Sequence, residues 1–221
     1  IAGDTFDSRI MMRLVAPKLG FGSHYVSLGK HLPVPVWVYS QLSSWHHMFL
    51  LKDPKTMGIL QQVKRQASEP DKVAALIQII SENLGYALYR AVEHTKVELT
   101  EKETGNFKFL EATVHLEDSL ERWQFESWIQ EDIQQIAGCV RALLDQAGVK
   151  TSDIDRVFLT GGSSFVPVVR RETPQRRRVD DCRKRFSPAC AGRKLITDPG
   201  CVPCCKYVRL QARFPGPAIS K

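Results

Sequence analysis

What most limits the fold of this chain is a break at Arg170–Arg171, where apolar periodicity stops. Before the break, Val73, Leu76, Ile77, Ile80, Leu84, Leu88, Ala91 and Val92 recur at helical spacing. After it, RRETPQRRRVDDCRKRFSPACAGRK and DPGCVPCCKYVRLQARFPGPAISK show no period long enough to bury a face. The core must therefore come from residues 1–171, and the tail, 172–221, is expected to be disordered or loosely structured. Charge divides at the same place. Residues 1–169 carry 17 Lys and Arg against 20 Asp and Glu, a net of −3, and residues 170–221 carry 14 against 4, a net of +10. The overall +7 thus belongs to the tail, and the mildly acidic body gives no electrostatic reason to expect a nucleic acid. Cys139 stands alone in the body, whereas Cys182, Cys190, Cys201, Cys204 and Cys205 crowd the tail, so the body fits a reducing, cytoplasmic compartment.

The body is of ordinary globular composition, 43% hydrophobic and 25% charged, which excludes wholesale disorder and a collagen-like fibre. No apolar run reaches the roughly 18–20 residues that span a bilayer, so no membrane partner is expected. The start, IAGDTFDSRI, lacks the basic and apolar regions of a signal peptide and reads as a fragment beginning mid-domain.

The pattern predicts a helix over 4–19, with Asp4 and Asp7 as cap and helix-start residues, and loop with a short extended piece near 34–39. A short helix is expected over 39–51, and a long one from Ser68-Glu69-Pro70 to about Val97, with Gly85 inside it. Residues 106–116 alternate as one or two strands, with Phe107, Phe109, Thr113 and His115 on one face. A second long helix is expected over 118–148, with Trp123 and Trp128 in the core and Cys139 as a small buried hydrophobe. A turn at 151–155, a buried strand at 156–160, a tight loop Gly161-Gly162-Ser163-Ser164 and a helix from Pro167 complete the body.

Strand, Gly-Gly-Ser-Ser, helix start is an arrangement with chemical content. Glycines permit positive φ and close approach of a ligand to the backbone, and helix-start N–H groups attract anionic or polar atoms. Alone, such a loop is equally a tight strand–helix turn. Other segments join it. VFLTGGSSFVPVVRR, after AGVKTSDID, resembles the adenosine motif of the actin-like ATPase superfamily, in particular the DnaK-type heat-shock 70 kDa chaperone family. AGDTFDSRI resembles that family's Gly-Gly-x-x-Phe-Asp-x-Arg helix start, AVEHTKVELT its Glu-x-x-Lys-x-x-Leu-Ser stretch, and FESWIQEDIQQIAGCVRALLDQAGVKTSDIDRV its long helix before the adenosine motif. LPVPVWVYSQLSSWHHMFLL looks like the divergent YegD-like bacterial branch.

The resemblance covers 1–171 and implies an α/β fold: an incomplete second lobe of an actin-like, ribonuclease H-like ATPase domain, with an outer α+β subdomain over about 20–115. It implies ATP or ADP as ligand, with Mg²⁺ in the complete parent protein. Glu93, Lys96 and Thr100 match residues that hydrogen-bond ribose and adenine. Gly161, Gly162, Ser163 and Ser164 match the loop over the adenosine. The i, i+3, i+7 spacing puts Glu93, Lys96 and Thr100 on one helix face, where a carboxylate accepts from ribose hydroxyls and Lys and Thr donate. Without the resemblance that trio reads as a solvated helix face. Phe165 stands where the family has an Arg that stacks on adenine, so a ring is kept and the cation lost. The family's phosphate and Mg²⁺ groups, an Asp-x-Gly loop, a Lys and an Asp-x-Gly-Gly-Gly-Thr hairpin, would precede Ile1, so no hydrolysis is expected from this chain alone. The family's last helix would follow Arg171, and the Arg/Pro/Cys tail in its place suggests a shifted reading frame.

The resemblance further implies client proteins and nucleotide-exchange partners. The alternative is a non-enzymatic interaction module whose tail binds zinc or nucleic acid. Only Cys201-x-x-Cys204 has zinc-ligand spacing, however, with no His nearby, and Arg176–Arg178 would touch phosphates without specificity. His46-His47 would need a third ligand to hold a metal. No metal site and no catalytic set are expected.

Overall fold

The computed structural model describes residues 3–159, 161–172, 179–181, 195–196 and 208–212. They form a mixed helix-and-strand chain divided into two compact units, one of Phe6–Trp128 and one of Ile1–Thr5 with Ile129–Lys221.

In the first unit, helix α1 (Gly3–Ile10) runs on as a π turn at Met11–Val15 and a 3₁₀ turn at Ala16–Leu19. Gly20 ends it at φ 94°, with Val73 Cγ2 3.2 Å and the Tyr39 hydroxyl 3.3 Å from where a Cβ would stand. A residue with a side chain is therefore disfavoured twice, by backbone strain and by close packing. Next comes a hairpin, β1 (His24–Ser27) with β2 (Lys30–Pro33), and helix α2 (Val36–Leu42). The extended piece expected near 34–39 is thus displaced upstream, and Val38 and Tyr39 are buried from a helix. Tyr39 donates to the Leu19 carbonyl at 3.0 Å and meets Phe21 edge-on at 5.1 Å. A 3₁₀ stretch (Trp45–Lys52) leads to helix α3 (Pro54–Gln66), which the sequence reading missed. Its signals were present. Asp53 caps Thr56 N at 3.1 Å, Pro54 occupies the first turn, and Thr56, Leu60 and Val63 face inward.

The long helix expected to about Val97 is two helices, α4 (Pro70–Ser81) and α5 (Gly85–Glu101). Asn83 takes φ 59° at the break, and Gly85 opens α5 instead of sitting inside a helix. A Cβ there would meet the Met48 side chain, so α5 opens on a residue packed close to Met48. Strands β3 (Thr104–Glu111) and β4 (Val114–Glu121) form a hairpin turning at Ala112, φ 51°. The turn changes the phase of the pattern. Phe107, Phe109, Val114, Leu116 and Leu120 are buried, while Thr113 and His115 face out. Because β4 continues to Glu121, the helix expected over 118–148 begins only at α6 (Arg122–Trp128).

The end of α5 is fastened to this hairpin. Arg122 donates from Nε to the Leu99 carbonyl at 2.8 Å and from Nη2 to the Lys102 carbonyl at 2.6 Å, so it satisfies the open carbonyls of the helix end. Glu98 accepts from Asn106 N at 2.8 Å and Lys102 at 2.7 Å, which hold its carboxyl below its ordinary pKa. Trp123, expected in the core, is exposed, and Trp128 is half-buried with the Arg13 guanidinium 6.0 Å from its ring centre.

The second unit holds helix α7 (Gln130–Gln146), strand β5 (Ile154–Leu159) and helix α8 (Pro167–Glu172). Leu143, Leu144 and Val149 form its small buried cluster, joined by Val140, Ala147 and Ile154, and Cys139 is half-buried. Gly148, at φ 63°, turns the chain out of α7. Strand β5 pairs in parallel with β6 (Val179–Asp181) and antiparallel with β8 (Val208–Ala212), and β8 pairs with β7 (Leu195–Ile196), in the order β6-β5-β8-β7. These strands are the described parts of the tail. The expectation of a loose tail otherwise falls outside the described residues, as do Thr160, Arg176–Arg178 and Cys182, Cys190, Cys201, Cys204 and Cys205.

Two glycines give opposite expectations. A Cβ on Gly105 would stand 2.9 Å from the Thr95 carbonyl oxygen, a backbone atom, and 2.9 Å from Leu99 Cγ. Gly58, exposed in α3, would gain a Cβ in open space. Gly105→Ala should lower stability by about 1–3 kcal/mol through overpacking, and Gly58→Ala should raise it by about 1 kcal/mol through helix propensity. Urea unfolding of both variants against the unaltered chain checks the contrast.

Candidate functional site

The residues picked from sequence lie on two elements, one in each unit, and each is described by itself. Helix α5 carries Glu93, Lys96 and Thr100 on its half-buried side, as the spacing predicts. Their partners differ sharply. Lys96 is buried, and its ammonium meets Asp7 Oδ2 at 2.8 Å, with side-chain exposures of 10% and 2%. Tyr89, two turns earlier on α5, donates to the same oxygen at 3.2 Å. Asp7 is therefore the anchor of a buried ion pair, not the helix-start residue expected from sequence. Its Oδ1 is buried with no hydrogen-bond partner. Burial pushes the Asp7 carboxyl above its ordinary value, overcoming the opposite pull of Lys96 and the hydrogen bonds from Lys96 and Tyr89.

Glu93 accepts from Arg90 Nη1 at 2.9 Å, a half-exposed pair one turn apart. Thr100 Oγ1 donates to the Val97 carbonyl at 2.7 Å and keeps two lone pairs as acceptors. An ammonium has three donors, so Lys96 retains hydrogen-bonding capacity beyond Asp7, but its head group is fixed at a buried position. The solvated-face reading fails for Lys96 in particular.

The second element is the loop after β5. Gly161 has φ 88° and ψ 162°, open in practice to glycine alone. A single 3₁₀ turn follows, Gly162–Phe165. Ser164 is buried, and both its N–H, at 3.1 Å, and its Oγ, at 2.6 Å, donate to the Gly161 carbonyl. Val166 N donates to Ser163 O at 3.2 Å. The Ser164 and Val166 amides are thus committed within the loop, and Pro167 opens α8 without an N–H. The helix-start amide site expected from sequence is weakened accordingly. What the loop does offer is room: a Cβ on Gly162 would meet nothing within 4 Å. Phe165 is half-buried, and the Arg170 guanidinium lies 5.1 Å from its ring centre. Sequence reasoning counted the family's cation as lost and missed Arg170, whose signal, an Arg five residues beyond the aromatic on the following helix, lay in the same segment.

Among the described residues no group of three His, Cys, Asp or Glu side chains could hold a metal ion, and His46 and His47 pack edge-to-face on each other at 5.3 Å. A cavity of about 430 Å³ lies at the C-terminal end of α7, lined by Arg141, Leu144, Asp145, Gly148, Val149, Lys150 and Thr151. None of the residues picked from sequence lines it. No helix among the described residues is long and apolar enough to cross a membrane.

The comparisons with known proteins bear on this geometry. The model of the Hsp70 protein family matches residues 74–180. The chaperone protein DnaK of Halobacterium salinarum, in each of two strains, is 38% identical to this chain over 91 residues, covering 38% of the chain and 14% of the relative. The family match includes α5 and the Gly161–Phe165 loop and ends at residue 180, nine residues beyond Arg171. The mixed helix-and-strand architecture agrees with part of an actin-like ATPase domain.

The buried pair gives a testable contrast. Asp7→Ala or Lys96→Met alone leaves an uncompensated buried charge or donor and should cost about 3–5 kcal/mol, whereas Asp7→Leu with Lys96→Met should cost much less. A carboxyl held above its unfolded pKa binds its proton more tightly when folded. Its contribution to stability is therefore full below the ordinary Asp value of 3.8 and declines as pH rises through the folded value. Asp7→Asn, which cannot titrate, should flatten that decline in urea midpoints measured from pH 3 to 7.

Proposed function

We propose, from the premise that this chain is over residues 74–180 a partial member of the Hsp70 family, that it carries the adenosine-binding surfaces of a chaperone-type ATPase. The observation that carries this reading is the span of the family match, which takes in Glu93, Lys96 and Thr100 as well as Gly161, Gly162, Ser163, Ser164 and Phe165. On α5, Glu93 would accept from ribose hydroxyls and Thr100 would exchange its local bond for one to the ligand. Lys96, held by Asp7, fixes the helix face on which both stand. In the loop, the unhindered Gly162 backbone would let a planar base approach, and Phe165 would stack on it.

The segment matched is about one-seventh of the DnaK length. Client handling, nucleotide exchange, a cytoplasmic setting and ATP turnover with Mg²⁺ are accordingly proposed for the parent protein. The residues argued here bind and orient adenosine, and none supplies charge to a transferring phosphoryl group. The chain is therefore proposed to bind adenine nucleotide without hydrolysing it.

Titration of the purified 221-residue chain with mant-ADP tests this. A saturable fluorescence rise is expected, weak enough to need ligand well above micromolar. Glu93→Ala should weaken it roughly tenfold, the value of a hydrogen bond to a charged group. No phosphate should be released from ATP with Mg²⁺. Absence of mant-ADP binding by the unaltered chain, or sustained turnover by it, would overturn the proposal.

A further inference from the structure

We infer that the hairpin β1–β2 and helix α3 form a docking surface for an acidic polypeptide segment that also carries apolar side chains. The inference is independent of the nucleotide reading, and the surface lies before the matched residues 74–180. Charge separates within the body itself. Residues 8–68 carry 8 Lys and Arg against the single acid Asp53, a net of +7, and residues 69–169 carry 9 against 17, a net of −8. Pairing separates in the same way. Each of the six Lys and Arg in residues 69–128, from Lys72 to Arg122, is in an ion pair with an Asp or Glu. Lys30, Lys52, Lys55, Lys64 and Arg65, by contrast, make no ion pair and no side-chain hydrogen bond among the described residues.

The fold gathers these cations. Tyr25 bridges to Ala67 in antiparallel register, and Ser68 N donates to the His24 carbonyl at 2.8 Å, so the chain just past α3 runs alongside β1. That seats Lys64 and Arg65, in the last turn of α3, beside the hairpin whose β2 carries Lys30. Lys52 and Lys55 stand at the other end of the helix, about 15 Å away at a rise of about 1.5 Å per residue. Lys64 and Arg65 suit the negative end of the helix dipole, but Lys52 and Lys55 face its positive end, which repels them, so helix stability does not account for their place. Nor does folding account for Leu28. It sits at the two-residue tip of the hairpin at φ 50°, a conformation that suits Asn or Gly, with 99% of its surface exposed. Val26, Leu32 and Ile59, on the same elements, are exposed as well. Unpaired cations set among exposed aliphatic side chains fit a partner that brings carboxylates and apolar groups together, as an acidic polypeptide does. A nucleic acid fits less well, because the exposed apolar groups of the hairpin and α3 are aliphatic and single strands are gripped by stacking on aromatic rings. An extended run of about five or six residues, at about 3.3 Å each, reaches from one end of α3 to the other.

The test uses the full chain and fluorescence anisotropy with a labelled peptide of glutamates and two leucines. Its glutamine counterpart, a single-stranded oligonucleotide and phosphatidylserine vesicles serve as comparisons. Saturable binding of the glutamate peptide is expected, weakening as salt rises. Lys30→Glu with Lys55→Glu and Arg65→Glu should lower the affinity about tenfold, each exposed pair contributing a modest share. The corresponding glutamine substitutions should give a smaller loss in the same direction. Leu28→Ser should lower the affinity about fivefold through lost apolar contact. Arg176→Glu with Arg177→Glu and Arg178→Glu, an equal change of charge in the tail, should leave it unchanged. Lack of binding by the unaltered chain overturns the inference, as does binding of the glutamine peptide equal to that of the glutamate peptide. An equal loss from the tail substitutions also overturns it, because the binding then follows net charge alone. Oligonucleotide or vesicle binding as tight as that of the peptide overturns it by assigning the surface to another partner, and unchanged affinity in the Lys30, Lys55 and Arg65 variant or in Leu28→Ser overturns it too. Lys30, Lys55, Arg65 and Leu28 are all exposed, so thermal melts and mant-ADP titrations of these variants should match those of the unaltered chain, which separates this surface from the fold and from the nucleotide reading.

Discussion

The pairing of Asp7 with Lys96 joins positions 89 residues apart and sets where α5 lies in its unit. Taking a carboxylate and an ammonium out of water costs several kcal/mol each, and mutual attraction at 2.8 Å offsets that only when the remaining polar atoms are satisfied. Here they are not all satisfied, since Asp7 Oδ1 has no partner. The raised pKa of Asp7 expresses the same imbalance, with desolvation outweighing attraction. Such a pair is weak evidence for stability and better evidence for specification: a helix that must place one ammonium on one buried carboxylate has a single rotation about its axis. Tyr89, donating to the same carboxylate at 3.2 Å, narrows that choice further.

Other contacts make sense relative to that fixed helix. Gly105 brings β3 so close that the Thr95 carbonyl and Leu99 occupy the space of a side chain. Arg122 reaches back to the Leu99 and Lys102 carbonyls from the start of α6, and Glu98 reaches forward to Asn106 N. The start of the helix is set by Gly85 against Met48. One face of α5 is thereby held at both ends and in its middle, and Glu93 and Thr100 flank the pinned residue on it.

Much of this was legible in the sequence, and most of the failures share a physical cause. Helix ends marked by Pro70, Gly148 and Pro167, and the Gly-Gly turn after β5, depend on local backbone chemistry and were read correctly. The misreadings arose where tertiary contact overrode periodicity. Apolar spacing runs unbroken through residues 73–92, yet the chain turns at Asn83, which takes φ 59°, and Gly85 then packs against the Met48 side chain. Alternation through 106–116 looked continuous, but a hairpin at Ala112 reverses the strand and exchanges which residues face inward. Asp7 read as a helix-start residue because its partner is 89 positions away, beyond any local pattern. Helix α3 was missed for the opposite reason: its cap at Asp53 is local and readable, but few apolar positions follow it.

The two candidate surfaces show how far similarity to a family determines chemistry. On α5 the matching residues are present in type and spacing, yet Lys96 is committed to a buried carboxylate, so a family-like residue here acts through the position of its helix. In the loop the sequence resemblance led to an expectation that a cation was lost at Phe165, yet the Arg170 guanidinium lies 5.1 Å from that ring. Identity at a position and function at a place in space are separable quantities. A charged group is less tied to one position than a glycine in a close backbone approach, since a long side chain can deliver the same charge from any of several nearby backbone positions. In this chain the ion pair that seats α5 joins Asp7, which precedes the matched residues 74–180, to Lys96 within them, so the position of the family-like helix depends on a residue outside the matched segment.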